Sequence, residues 1–172
     1  MNWAHIHLMT NHFPVIGTLF GMLLLGFAML RKSDELKKVS FGVFAIIALI
    51  TFVVFFSGEP AEEIVEELPG VKESLIEEHE EMALISLIFV EILGVMSAIG
   101  LFASSRLKVN MKWFVTALFL LSVITSGLFG LTANLGGQIR HTEIRKDYNA
   151  SPSDSEHEQK SQNHHEEDDD DD

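Results

Sequence analysis

Four stretches of the chain, residues 13–30, 39–57, 82–103 and 113–135, are apolar for 18 to 23 residues at a time. An α-helix needs about 20 such residues to cross about 30 Å of hydrocarbon. A helix buried in a water-soluble core is usually shorter and keeps a polar stripe, which residues 41–56 lack. The pattern predicts an all-α integral membrane protein, a four-helix bundle with a short extracytoplasmic helical loop. The short connections make one transmembrane domain, residues 13–148. An extracytoplasmic arm, residues 1–12, precedes it, and an acidic tail, residues 149–172, follows.

Charge is as unevenly spread as apolarity. The formal net charge of −13 comes mostly from the loop 59–81 and from the tail. Such an excess of carboxylate argues against nucleic acid, whose phosphates call for Lys and Arg. The chain has no cysteine, which removes disulfides, thiolate metal sites and covalent c-type haem attachment. The first eleven residues carry no basic segment, so the first helix is expected to stay as an anchor rather than be cleaved.

Seven of the twelve Lys and Arg residues fall in two short loops: Arg31, Lys32, Lys37 and Lys38, then Arg106, Lys108 and Lys112. The loop on the opposite side holds only Lys72. Short basic loops stay in the cytoplasm, so both termini and the acidic loop are expected outside. Arg140, Arg145 and Lys146 pull mildly the other way. The expected address is the cell's inner membrane, multi-pass, with the lipid bilayer as the immediate partner.

That topology gathers His5, His7, His12, His79 and His141 on one side of the membrane, together with ten glutamates of the loop. Within the loop, Ile64, Val65 and Leu68 alternate with glutamates as on a short amphipathic helix, and Leu68-Pro69-Gly70 breaks it. Val71, Leu75 and His79 then recur at helical spacing into the third span, which places His79 on the bundle-facing stripe. Gly17 and Gly21 form a small-xxx-small pair that admits a neighbouring helix. Beyond residue 149 the composition cannot bury a core, and the tail is expected to be disordered; His157, His164 and His165 belong to it.

Candidate chemistry follows from these groups. His12, His79 and His141 come from different helices, and Gly136 and Gly137 beside His141 leave room for a bulky planar group. His7, His12, His79 and His141 with Glu59, Glu62, Glu63 and Glu78 form an alternative set suited to a cation. Blander readings stand beside these: an interfacial histidine cluster, a solvated acidic face, and a glycine helix end followed by basic residues. Glu91 lies near the middle of the third span, where a carboxyl is costly; a hydrogen bond to Ser122 or Thr125 is one structural account of it.

The stretch His7-Leu8-Met9-Thr10-Asn11-His12-Phe13-Pro14 resembles the H-x4-H-F-P opening of the DUF2231-like group of small bacterial four-helix membrane proteins. Leu135-Gly136-Gly137 is similar to that group's Leu-Gly-Gly signature at the end of the last helix. The resemblance implies, by analogy with b-type cytochromes, a haem or electron-transfer role. Two departures weaken that implication: the acidic insertion 59–81, and Arg140-His141-Thr142 in place of aromatic and glycine residues.

Three functions are thus expected. The first is a b-type haem or metal-binding electron-transfer protein with a redox partner, using His12, His79 or His141 as axial ligands. The second is a non-haem transition metal or other divalent ion site that binds, senses or moves the ion, supported by the many carboxylates. The third is a small structural subunit docking a partner through its acidic face. Hydrolase triads and phosphate-binding glycine loops are not found in the sequence.

Overall fold

The computed structural model describes residues 3–66, 71–106, 112–141 and 144–145. Among them, six helices follow one another: α1 (Trp3–Thr10), α2 (His12–Arg31), α3 (Asp34–Phe56), α4 (Glu59–Glu66), α5 (Glu73–Arg106) and α6 (Lys112–Arg140). No strand occurs among the described residues. Helices α2, α3, α5 and α6 are long and apolar enough to cross a membrane. The all-α four-helix bundle expected from the apolar blocks is the observed architecture. The break at Leu68-Pro69-Gly70 and the tail from residue 149 lie outside the described residues.

Local chemistry sets the turns. Lys32 closes α2 in the left-handed region at φ 50°, and its amide donates to the Met29 carbonyl at 3.2 Å. Ser33 caps α3, accepting from the Leu36 amide, and Asp34 and Glu35 fill the first turn where the helix dipole favours negative charge. The link from α2 to α3 therefore needs only two residues, and the helices must run antiparallel. At the other side of the bundle, Asn11 keeps helical backbone angles between α1 and α2. The arm expected before the first span is a helix from Trp3 onward.

The four long helices close a ring, with α2 on α3, α3 on α5, α5 on α6 and α6 on α2. Glycines set the closest approaches: Gly21 lies under the Phe44 ring, Gly94 faces Ala48, and Gly100 fits between Phe41 and Phe114. The main core cluster is Leu25, Phe41, Phe44, Leu93, Val115 and Leu118; a second, Ile47, Val90 and Phe129, lies nearer the histidines. Outside the ring, Leu23, Phe27, Leu49, Phe52, Val95 and Leu120 are exposed. A belt of this kind suits hydrocarbon rather than water. α1 packs on α4 and α2, forming a small cap at the end of the bundle that carries the histidines.

Candidate functional site at the histidine end

Two imidazoles turn inward at this end. His7 on α1 is half-buried, and its Nδ1 lies 3.1 Å from the Val54 carbonyl and 3.3 Å from Ser57 Oγ, at the end of α3. Ser57 is itself buried and donates its hydroxyl to the same Val54 carbonyl at 2.8 Å. His79 on α5 is also half-buried, with Nδ1 3.0 Å from the Thr132 carbonyl of α6. A carbonyl only accepts, so Nδ1 carries the proton in both rings, and Nε2 is the atom that gains one when either ring becomes charged.

Glycine makes room for His79: a methyl group at Gly136 would press on its Cε1 from 3.1 Å, whereas one at Gly58 would meet His7 Cε1 at an ordinary 3.6 Å. Below His79, Ser86 donates to Thr132 Oγ1 at 2.9 Å while Thr132 donates to the Leu128 carbonyl at 3.0 Å. The seam between α5 and α6 is therefore polar and satisfied at this level. The two imidazoles are near enough that a charge on His79 acts on His7. The Glu80 carboxylate, one residue along, acts on His79 with the opposite sign.

A carboxyl pair joins the cluster. Glu62 on α4 shares a hydrogen bond with Glu80 on α5, which pushes the Glu62 carboxyl up to about 7 from its ordinary 4.5. Partial burial and the charges of Glu80, Glu66 and Glu59 add to the effect. The proton on Glu62 thus ties α4 to the projecting part of α5.

The other expected site residues are placed elsewhere. His12 is exposed at the start of α2, and His141 is exposed just past α6, its amide donating to the Gly137 carbonyl at 2.9 Å. Glu59, Glu63 and Glu78 are exposed. The open side of Gly137 faces Ile144 rather than an imidazole.

These placements correct the expected function and cofactors. Among the described residues, no group of three or more His, Asp or Glu side chains is placed to hold a metal ion. The non-haem metal reading falls on that geometry. The b-type haem reading falls with it, and so does electron transfer through such a group. Physically, the space beside Gly136 that would admit a macrocycle is filled by the His79 ring, whose Nδ1 is already committed to a carbonyl.

Sequence reasoning found His79 through its place on the apolar stripe. It missed the partners, because Val54 and Thr132 contribute backbone oxygens, which no residue type announces. It also missed the inward turn of His7. The signal for that residue was present: His7, Pro14 and Gly21 follow one another at an offset of seven positions, and Pro14 and Gly21 are buried on the ring-facing side of α2. No protein-family model, no curated protein and no solved structure matches the chain.

Proposed function

We propose that this protein is a pH-responsive membrane module, in which the cap formed by α1 and α4 is latched to the four-helix ring by imidazole and carboxyl groups whose contacts change with protonation. The observation that carries this reading is the pair His7 and His79. Each is hydrogen-bonded to the main chain of a neighbouring helix, and charge on His79 acts on His7. With both rings neutral, α1 is held on α3 and α5 on α6. In mild acid, protons on both Nε2 atoms place two like charges in a half-buried site, and the weakly held α1 is the element that yields.

Among the described residues, α5 brings Glu80 to this pair, α6 brings the Thr132 carbonyl and Gly136, and α3 brings the Val54 carbonyl and the Ser57 hydroxyl; Glu62 of α4 is joined to them through Glu80. Glu80 offsets part of the repulsion, and its bond to Glu62 keeps α4 in place in acid. The half-buried imidazoles outweigh that carboxyl pair, because interactions among exposed charges are screened by solvent.

The basic short loops support a cap on the outer side of the cell's inner membrane, with both termini extracytoplasmic. Membership of the DUF2231-like group is proposed on the same footing, from the His7 to Pro14 and Leu135 to Gly137 motifs. The test is backbone amide exchange of the protein in lipid nanodiscs at about pH 5 and pH 7.5, either side of the ordinary imidazole value, corrected for intrinsic rates. Faster exchange in α1 at the lower pH, absent in His79→Asn, is the expected result. Equal protection of α1 at both values overturns the proposal.

A further inference from the structure

The four apolar stretches contain one ionisable side chain between them. Residues 13–30, 39–57 and 113–135 have none, and residues 82–103 have only Glu91. By helical rise, Glu91 lies about 14 Å from the Met82 end of its stretch and about 18 Å from the other end, close to mid-membrane. Its Oε1 is buried with no hydrogen-bond partner. The partners expected for it are engaged elsewhere: Ser122 donates to the Phe119 carbonyl at 2.7 Å and Thr125 to the Leu121 carbonyl at 2.8 Å, each within α6.

Position on α5 explains why. The residues turned to α3 and α6 are Ser86, Val90, Leu93, Gly94 and Ser97, all buried. Leu84, Ile88 and Val95 form the exposed, lipid-facing stripe. Glu91 is half-buried at the border between the two, next to the seam where Gly94 meets Ala48 of α3. A carboxylate there would have hydrocarbon on one side and apolar helix on the other. No cation stands on α2, α3 or α6 at that depth, and no donor among the described residues reaches Oε1. An unpaired charge in such surroundings is far costlier than a neutral acid.

We propose that Glu91 is an intramembrane proton-binding site, a neutral carboxylic acid reached from the lipid along the seam between α3 and α5, and hence a modification site for hydrophobic carbodiimides. In that reaction the acid adds across one C=N bond. Its proton goes to nitrogen and its oxygen to the central carbon, and the O-acylisourea then rearranges to a stable N-acylurea. No other reactant is consumed. The chemistry requires the acid proton and a reagent soluble in hydrocarbon, so it reads both halves of the proposal.

The experiment treats the full chain in lipid nanodiscs with dicyclohexylcarbodiimide, and separately with a charged water-soluble carbodiimide, at about pH 6 and pH 8, well above the usual carboxylate range. Peptide mass spectrometry locates the adducts. The expected result is adduct on Glu91 from the hydrophobic reagent at both pH values, little from the charged reagent, and none in Glu91→Gln. Glutamates of α4 and of the projecting part of α5 should show the reverse preference. No adduct at Glu91, equal reaction with both reagents, or reaction that disappears at the higher pH would each overturn the proposal. The outcome is independent of whether α1 moves with pH.

Discussion

The two ends of the bundle are held together by different physics. Towards the basic loops, the core is Leu25, Phe41, Phe44, Leu93 and Leu118, with Phe41 and Phe114 edge to face at 6.3 Å and Gly100 fitted between them, while the buried hydroxyls of Ser40 and Ser122 bond within their own helices. Towards the histidines, adjacent helices are joined by named polar contacts: His7 to Val54, His79 to Thr132, Ser86 to Thr132 and Glu62 to Glu80. Apolar packing is insensitive to pH and fails only when volume is wrong. Polar contacts that include imidazole and carboxyl groups change with proton activity. One end is built to stay, and the other to respond.

The greatest loss of stability is expected from a steric change at the basic end. In Gly100→Leu the new Cβ would stand 2.8 Å from Phe114 and 3.0 Å from Phe41. Aromatic rings on two helices would have to shift, and overpacking of this kind costs about 1–3 kcal/mol or more. Unfolding in mixed detergent micelles should show that loss equally at acid and neutral pH. A pH-dependent loss would mean the two ends are not separate.

Next comes His79→Ala, which removes the bond to the Thr132 carbonyl and the packing on Gly136. A loss of about 1–2 kcal/mol at neutral pH is expected for a half-buried hydrogen bond with its contacts. The same unfolding assay should find the loss smaller in mild acid, where the native ring is already repelled by His7. A smaller change should follow Gly136→Ala. Its methyl group would press on His79 Cε1 from 3.1 Å. The ring must give by a few tenths of an ångström, and the imidazole nitrogen resonances should shift while the helices stay folded.

The smallest effect is that of Glu62→Gln, which sharpens the comparison by separating the carboxyl pair from the histidines. The folded Glu62 carboxyl, at about 7, lies above its ordinary 4.5. The folded form therefore holds its proton more tightly, and the contact is fully present below about 4.5 and lost as pH rises through about 7. Amide protection of α4 should decline across that range in the native chain. In Glu62→Gln, whose amide still donates to Glu80, the decline should be absent. Because the pair is largely exposed, the change belongs to α4 alone and not to global stability.

Most of the bundle was legible in the sequence because the bilayer imposes one rule on every span, and runs such as residues 41–56 obey it openly. The amphipathic loop helix α4 was legible for the same reason, since Ile64 and Val65 sit among glutamates at helical spacing. His79 was legible as an inward group because its periodicity is shared with Val71 and Leu75. The content of the site was not. Histidine, glutamate and glycine gathered at one membrane face suit a cofactor as well as they suit a latch, and only distances decide. The deciding contacts run to the carbonyls of Val54 and Thr132, which belong to residues with no chemical signature. The Glu62 to Glu80 bond depends on how α4 folds back, which the spacing of charges does not fix.

That protons at His7 and His79 release α1 can be measured directly. The chain contains no cysteine, so spin labels at Leu8→Cys on α1 and Ala133→Cys on α6, both exposed positions, would be the only ones present. Their separation in lipid nanodiscs, read by pulsed electron resonance at about pH 7.5 and pH 5, brackets the imidazole range. The account predicts a longer and broader distance distribution at the lower pH, abolished by His79→Asn. The same narrow distribution at both pH values, with the histidines intact, would contradict it.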